Sequence, residues 1–243
     1  MSNISPLMKL MLEISNKAAR FLSRDYYELK SLQSSKKPNH LFIEKSLDKI
    51  KKVVLGELER ARPEFGIICK GFDKESTSVN QEKWIVTLMD GVENFAHSIP
   101  CFGMSIAVEE NRYSKPEIMS GVVIFPIIDE LYFAEKGQGA WHTASMGKYS
   151  GTHRLRVSER KDNLMVFGAK PTTSTNHEYR DFGCNLLSCA YVSAAKVDFA
   201  KVYNADENDL AVGIILVQEA GGMVVRNSDS FSFSNSNLNG VMK

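Results

Sequence analysis

The sequence predicts a mixed α/β fold, with an α+β N-terminal half followed by an α/β C-terminal half. Three observations carry that expectation. The chain opens on two long apolar stripes at helical spacing; a run of short apolar segments broken by turns follows; the last hundred or so residues alternate strand-like and helix-like segments. With 243 residues the chain is long enough to bury a substantial core.

Leu7, Met11, Ile14, Ala18, Phe21 and Leu22 recur at helical spacing and Leu29 extends the stripe, so a helix is expected over residues 5–30. The polar segment 34–40 ends it. A second stripe uses Leu47, Ile50, Val54, Leu58 and Ala61, and the charges between Asp48 and Arg60 form its solvated face. Arg62-Pro63 closes that helix, because a residue preceding proline is pushed out of the helical region. Segments 65–69, 84–87, 102–108, 119–125 and 130–134 then read as strands of a largely antiparallel sheet. A polar loop is expected over 74–82 and a turn over 137–141.

The chain is expected to divide into an N-terminal half, 1–140, and a C-terminal half, 141–243. In the second, 163–167 reads as a buried strand ending at Gly168 and 186–195 as a helix. Residues 197–200 read as a short strand and 210–220 as a strongly apolar helix that Gly221-Gly222 stops. Another strand follows at 223–225. The Ser- and Asn-rich tail, 227–239, reads as a loop with one short edge strand, and 172–175 as a polar loop.

Composition excludes several roles. Lys and Arg total 30 against 29 Asp and Glu, a net charge of +1, so nothing favours nucleic acid or an anionic membrane as partner. Lys36-Lys37 and Lys51-Lys52 are isolated pairs that read as solvated surface. The N-terminus lacks a secretory pattern and no apolar run approaches the roughly 18 residues of a membrane span. Cys69, Cys101, Cys184 and Cys189 show no C-x-x-C spacing and read as small buried thiols. A cytoplasmic, reducing location is therefore expected. His40, His97, His142, His153 and His177 form no local ligand motif, and no Ser or Cys sits in a nucleophile elbow.

The chemistry concentrates at Asp90-Gly91, where the apolar strand beginning at Trp84 ends in a carboxylate and a turn. A reversal at Gly91 lets the N–H groups of Gly91 and Val92 converge on a phosphate oxygen, and Asp90 could ligate a hard cation bridging to it. Asp-Gly is also a common ordinary turn. Asp209, before the apolar helix, reads either as its N-cap or as a second ligand. Asp206 and Glu207 read as exposed loop acids.

Taken in order, these segments resemble the inositol monophosphatase family, including its SuhB-type members, over essentially the whole chain. The likeness rests on residues 84–95, Ile99-Pro100, 105–108, Gly121-Val122-Val123 with Pro126, 130–133 and 137–140. It continues through Gly183, 189–192, Val197-Asp198, 209–213 and 219–222. The resemblance implies a layered αβαβα sandwich with a metal site between two halves, a homodimer, and Mg²⁺-dependent hydrolysis of phosphate monoesters such as inositol monophosphate.

Carried over position by position, the family's central carboxylate falls on Asp90 and its late ligand on Asp209, with the carbonyl donor at Met89. Other positions are substituted. The first Asp of the central motif is Thr87, the metal-binding Glu is Lys70 and its neighbour is Gly71. The water-orienting positions are Ile43, Ser46 and Val92. The substrate-hydroxyl Glu is Val202, and the Trp before the late ligand is Asn208.

These changes matter physically. Divalent ions beside a phosphate need several anionic ligands to offset their charge. Thr87 offers only a neutral hydroxyl, and Lys70 puts a cation where an anion stood; two like charges 4 Å apart repel by about 4 kcal/mol at an effective dielectric near 20. Ile43 and Val92 cannot orient or relay protons for a nucleophilic water.

The resulting expectation is a phosphatase-like protein with lost or greatly reduced catalysis, retaining a weak site for a phosphate ester or other small anion at Gly91 and Val92, with Lys70 nearby. One alternative is a working Mg²⁺-dependent phosphatase that recruits Glu44 or Glu93 beside Asp90 and Asp209. Another is a SuhB-like regulatory interaction protein.

Overall fold

The computed structural model describes residues 4–32, 40–112, 115–144, 151–168 and 177–238. Lys36-Lys37, most of the polar segment 34–40 and the loop 172–175 lie outside the described residues. Helix α1 (Pro6–Leu32) starts with proline at its first position, where no amide hydrogen is needed, and with Ser5 Oγ accepting the Met8 N–H at 3.0 Å. Helix α2 (His40–Ala61) follows. Met11, Ile14, Ala18, Leu22 and Leu29 are buried, as are Ile50, Val54 and Leu58, so the apolar stripes do face a core.

Both helices cover one face of an eight-stranded sheet. Its strands are β1 (Gly66–Cys69), β2 (Phe72–Lys74), β3 (Lys83–Asp90), β4 (Gly103–Arg112), β5 (Lys115–Phe125), β6 (Glu130–Glu135), β7 (Gly139–Ala144) and β8 (His153–Arg154). The order is β2-β1-β3-β4-β5-β6-β7-β8, antiparallel except for the parallel pair β1–β3. Successive residues of β3 serve different cores, because side chains alternate across a strand. Trp84 and Val86 pack toward α1 and α2, whereas Ile85 packs toward the opposite face.

That opposite face is covered by α4 (Asn185–Ser193) and α5 (Ala211–Glu219). Leu186, Leu187, Val212 and Ile215 meet the first sheet. Cys189, Val192, Leu210 and Val217 turn toward a second, five-stranded one. The second sheet runs β10-β9-β11-β13-β12, built from β9 (Met165–Phe167), β10 (Glu178–Arg180), β11 (Phe199–Tyr203), β12 (Met223–Arg226) and β13 (Ser230–Ser234). Leu238, in a short turn of 3-10 helix (Ser236–Leu238), packs with Leu164, Val166 and Phe199. Helices, sheet, helices and sheet thus form a layered α/β sandwich, and α3 (Val92–Ala96) sits at the end of β3.

Several elements differ from the sequence expectation. The turn expected over 137–141 is over by Gln138, and Gly139 opens β7; Trp141 is its only large apolar residue, too sparse a signal for a strand. The first sheet continues to Arg154 through the antiparallel pair β7–β8. The short strand expected at 197–200 is β11, two residues later, because Asp198 is withdrawn into a buried lattice. It accepts the Ser158 hydroxyl at 2.5 Å, Arg160 Nε at 2.7 Å and the Met165 N–H at 2.8 Å. The expected loop 74–82 starts one residue later, because Lys74 closes β2. In the tail, β13 is an interior strand between β11 and β12, not an edge. Phe231 and Phe233 enter the core beneath α4 and α5, and the intervening serines are buried despite their polarity.

Candidate functional site

Strand β3 carries one extra residue between Thr87, paired with Ser105, and Asp90, paired with Gly103. Such a bulge re-aims the end of a strand, and here it brings Asp90 to the start of α4. Asp90 Oδ2 accepts the Leu186 N–H at 2.6 Å and the Cys184 thiol at 3.2 Å. Cys184 occupies the N-cap position of α4 and makes no side-chain cap bond of its own. A carboxylate from 96 residues away therefore satisfies an amide that the helix leaves open. Burial raises the Asp90 carboxyl above the usual aspartate range, against the pull of the Leu186 N–H and the Cys184 thiol.

Gly91 has φ +81°, and a Cβ there would stand 2.7 Å from the Cys101 carbonyl oxygen and 3.2 Å from Phe102 Cα. Gly91→Ala therefore combines left-handed strain of about 1–2 kcal/mol with a clash against backbone. Equilibrium urea unfolding is expected to show a loss of at least about 2 kcal/mol. Unchanged stability would mean that the turn is not held as described. The following helix α3 has only five residues, too few to focus a strong field on an anion. Val92 is exposed and lines the cleft.

Asp209 lies in the turn before α5. The cap position is Leu210, which makes no side-chain cap bond, and Asp209 stands one residue before it, outside the capping position. Its carboxylate lies instead beside Thr87 in the same cleft, within electrostatic reach of Lys70. Burial, followed by the charge of Asp206, raises its carboxyl, while Lys70 and Thr87 pull it down. Thr87, Met89, Asp90, Val92, Asp209 and Lys70 thus surround one cleft of about 680 Å³.

Other expected positions lie elsewhere. Ser46 is buried and donates to Asp25 Oδ2 at 2.8 Å, tying α2 to α1. Ile43 packs on the core beneath those helices. Val202 is buried beneath the second sheet, and the Asn208 N–H donates to Asp206. Glu44 lines the cleft; Glu93 and His97 do not.

Sequence reasoning missed Lys51, Asp48, Asn185 and Asn204, which also line it. The spacing of Glu44, Asp48 and Lys51 puts all three on one face of α2, a signal submerged in the helix's many charges. Lys51 Nζ donates to the Gly71 carbonyl at 2.9 Å and lies 5.7 Å from the Phe72 ring centroid.

The residues present do not fit a divalent-ion centre of the expected kind. Among the described residues no three His, Cys, Asp or Glu side chains come together as metal ligands. One oxygen of Asp90 is engaged by α4, and Asp209 lies within electrostatic reach of the Lys70 ammonium.

The comparisons agree with this architecture. The Inositol-1-monophosphatase of Mesorhizobium japonicum is 32% identical over 238 residues, spanning 90% of this chain and 85% of that protein. The Nus factor SuhB of Escherichia coli is 28% identical over 237 residues, spanning 90% and 84%. The crystal structure of the extragenic suppressor protein suhB from Bartonella henselae superposes with a TM-score of 0.78 at 29% identity, over 97% of this chain and 95% of that one. The model of the inositol monophosphatase family matches residues 4–241, and this chain belongs to that family, with no cluster of metal-coordinating side chains among its described residues.

Proposed function

We propose that this protein keeps the family's cleft as a binding site for a small phosphate ester while its metal-dependent hydrolysis is lost or greatly reduced. The observation that supports this reading is the setting of the two retained carboxylates. Asp90 holds the start of α4 through its hydrogen bonds, and Asp209 shares the cleft with the positive charge of Lys70. A divalent ion would have to displace those contacts and stand beside Lys70, and neither Ile43 nor Val92 could orient a nucleophilic water. The reading includes a cytoplasmic homodimer, for which the family likeness and four free cysteines are the support; sedimentation velocity tests the dimer.

Calorimetric titration with Mg²⁺, with and without myo-inositol 1-phosphate, alongside a phosphate-release assay, tests the proposal. The expected result is no saturable Mg²⁺ heat at millimolar concentration and no Mg²⁺-dependent release. Release that depends on Mg²⁺ and disappears in Asp90→Asn would overturn it. One observation favours the second reading, a reduced Mg²⁺ phosphatase: Glu44 and Asp48 line the same cleft as Asp90 and Asp209. Electron density for Mn²⁺ between Asp90 and Asp209 in soaked crystals would establish that reading.

A further inference from the structure

We propose that the cleft binds a polyhydroxylated phosphate monoester without any divalent ion, with the ammonium groups of Lys51 and Lys70 holding the phosphate. This deepens the functional reading above and rests on it. Lys70 stands in the turn between β1 and β2, and the Lys51 ammonium is anchored to the carbonyl of the next residue, Gly71, at 2.9 Å. Lys70 of that turn and Lys51 of α2 therefore line a single cleft.

Among the described residues neither ammonium is in ion-pair contact with a carboxylate. Lys51 uses one of its three N–H donors on Gly71. Two like charges lining one cleft without such a contact are stabilised by a dianion, and charge-assisted bonds to phosphate are the strong ones.

The remainder of the lining selects the organic part. Leu47, Val86, Leu88 and Met89 give an apolar wall suited to the carbon face of a ring. Glu44 and Asp48, exposed on α2, are acceptors for hydroxyl groups and repel a bare anion. The charge pattern thus favours an ester with several hydroxyls over inorganic phosphate.

Calorimetry in excess EDTA, with myo-inositol 1-phosphate and separately with inorganic phosphate, tests the proposal. Saturable binding of the ester, tighter than that of inorganic phosphate, is expected. Lys70→Met should weaken it about tenfold or more, the scale of a lost charge-assisted bond, and Lys70→Arg should keep most of it. Lys51→Met is an independent arm if Lys70→Met fails to fold, as thermal melts without ligand would reveal. No binding in EDTA, binding only after Mg²⁺ is added, inorganic phosphate binding as tightly as the ester, or binding indifferent to both lysines overturns this proposal. Mg²⁺-dependent phosphate release would instead overturn the reading beneath it.

Discussion

Asp90→Ala is expected to melt several degrees below the unsubstituted protein, while Asp90→Asn melts at the same temperature or slightly above it. The contrast follows from what the carboxylate does. Its Oδ2 accepts the Leu186 N–H at 2.6 Å at the start of α4, and alanine would leave that donor without a partner, a cost of about 1–3 kcal/mol. Each kcal/mol is worth about 2–4 °C in a protein of this size. Asparagine keeps an amide oxygen as acceptor and removes a charge that burial opposes.

The sign of the pH dependence follows from the raised carboxyl. A carboxyl whose folded-state pKa is raised favours its neutral form on folding. Its contribution is complete below the ordinary aspartate value of about 3.9 and is lost as pH rises through the higher folded value. The Asn variant has no such term, so its stability relative to the unsubstituted protein should improve from pH 4 to pH 7. Urea denaturation of the three proteins across that range measures both effects. An Ala variant as stable as the Asn variant at pH 7 would remove the cap from the account of Asp90.

The parts of this site that were legible in the sequence are those written in local pattern. The apolar stripes of α1 and α2 follow from helical spacing, and Asp90-Gly91 is marked by an apolar run that ends in a carboxylate and a glycine. The partners of those residues are not local. The amide that Asp90 satisfies lies 96 residues further on, and Cys184 looks like any small buried thiol until the fold sets it against that carboxylate.

Lys51 shows the same limit from the other side. In sequence it is one charge among many on the outer face of a helix, and only the return of the β1–β2 turn beneath α2 makes it part of a cleft. Strand β13 fails differently. Its serines read as solvated loop, yet between β11 and β12 every residue is buried, because neighbouring strands and not residue polarity decide its burial. Asp209 illustrates a third case. A carboxylate just before a helix has an obvious local role as a cap, and the structure gives it a distant one with Thr87 and Lys70.

If charge at two positions is what separates this cleft from a metal centre, then Lys70→Glu combined with Thr87→Asp should create a divalent-ion site that neither change creates alone. Lys70 and Thr87 line the same cleft as Asp209 and both act on its carboxyl, so both substitutions put anions around a ligand already in place. Thr87→Asp alone would leave the new carboxylate opposite the Lys70 cation. Lys70→Glu alone changes the local charge by two units but adds only one donor group. The double variant is therefore expected to bind Mn²⁺ or Mg²⁺ at least about tenfold more tightly than either single variant, the non-additive behaviour of groups sharing one partner.

Without metal the crowded carboxylates repel, so the double variant should melt below the unsubstituted protein. Added metal should raise its melting temperature, by the equivalent of about 2.7 kcal/mol at a hundredfold excess over Kd. Phosphate release should remain absent even in the metal-loaded form, because Ile43 and Val92 still give a water nothing to bond to. A double variant whose melting temperature ignores metal would show that backbone geometry, and not charge, keeps the ion out, since Asp90 would then remain committed to α4 whatever stands opposite.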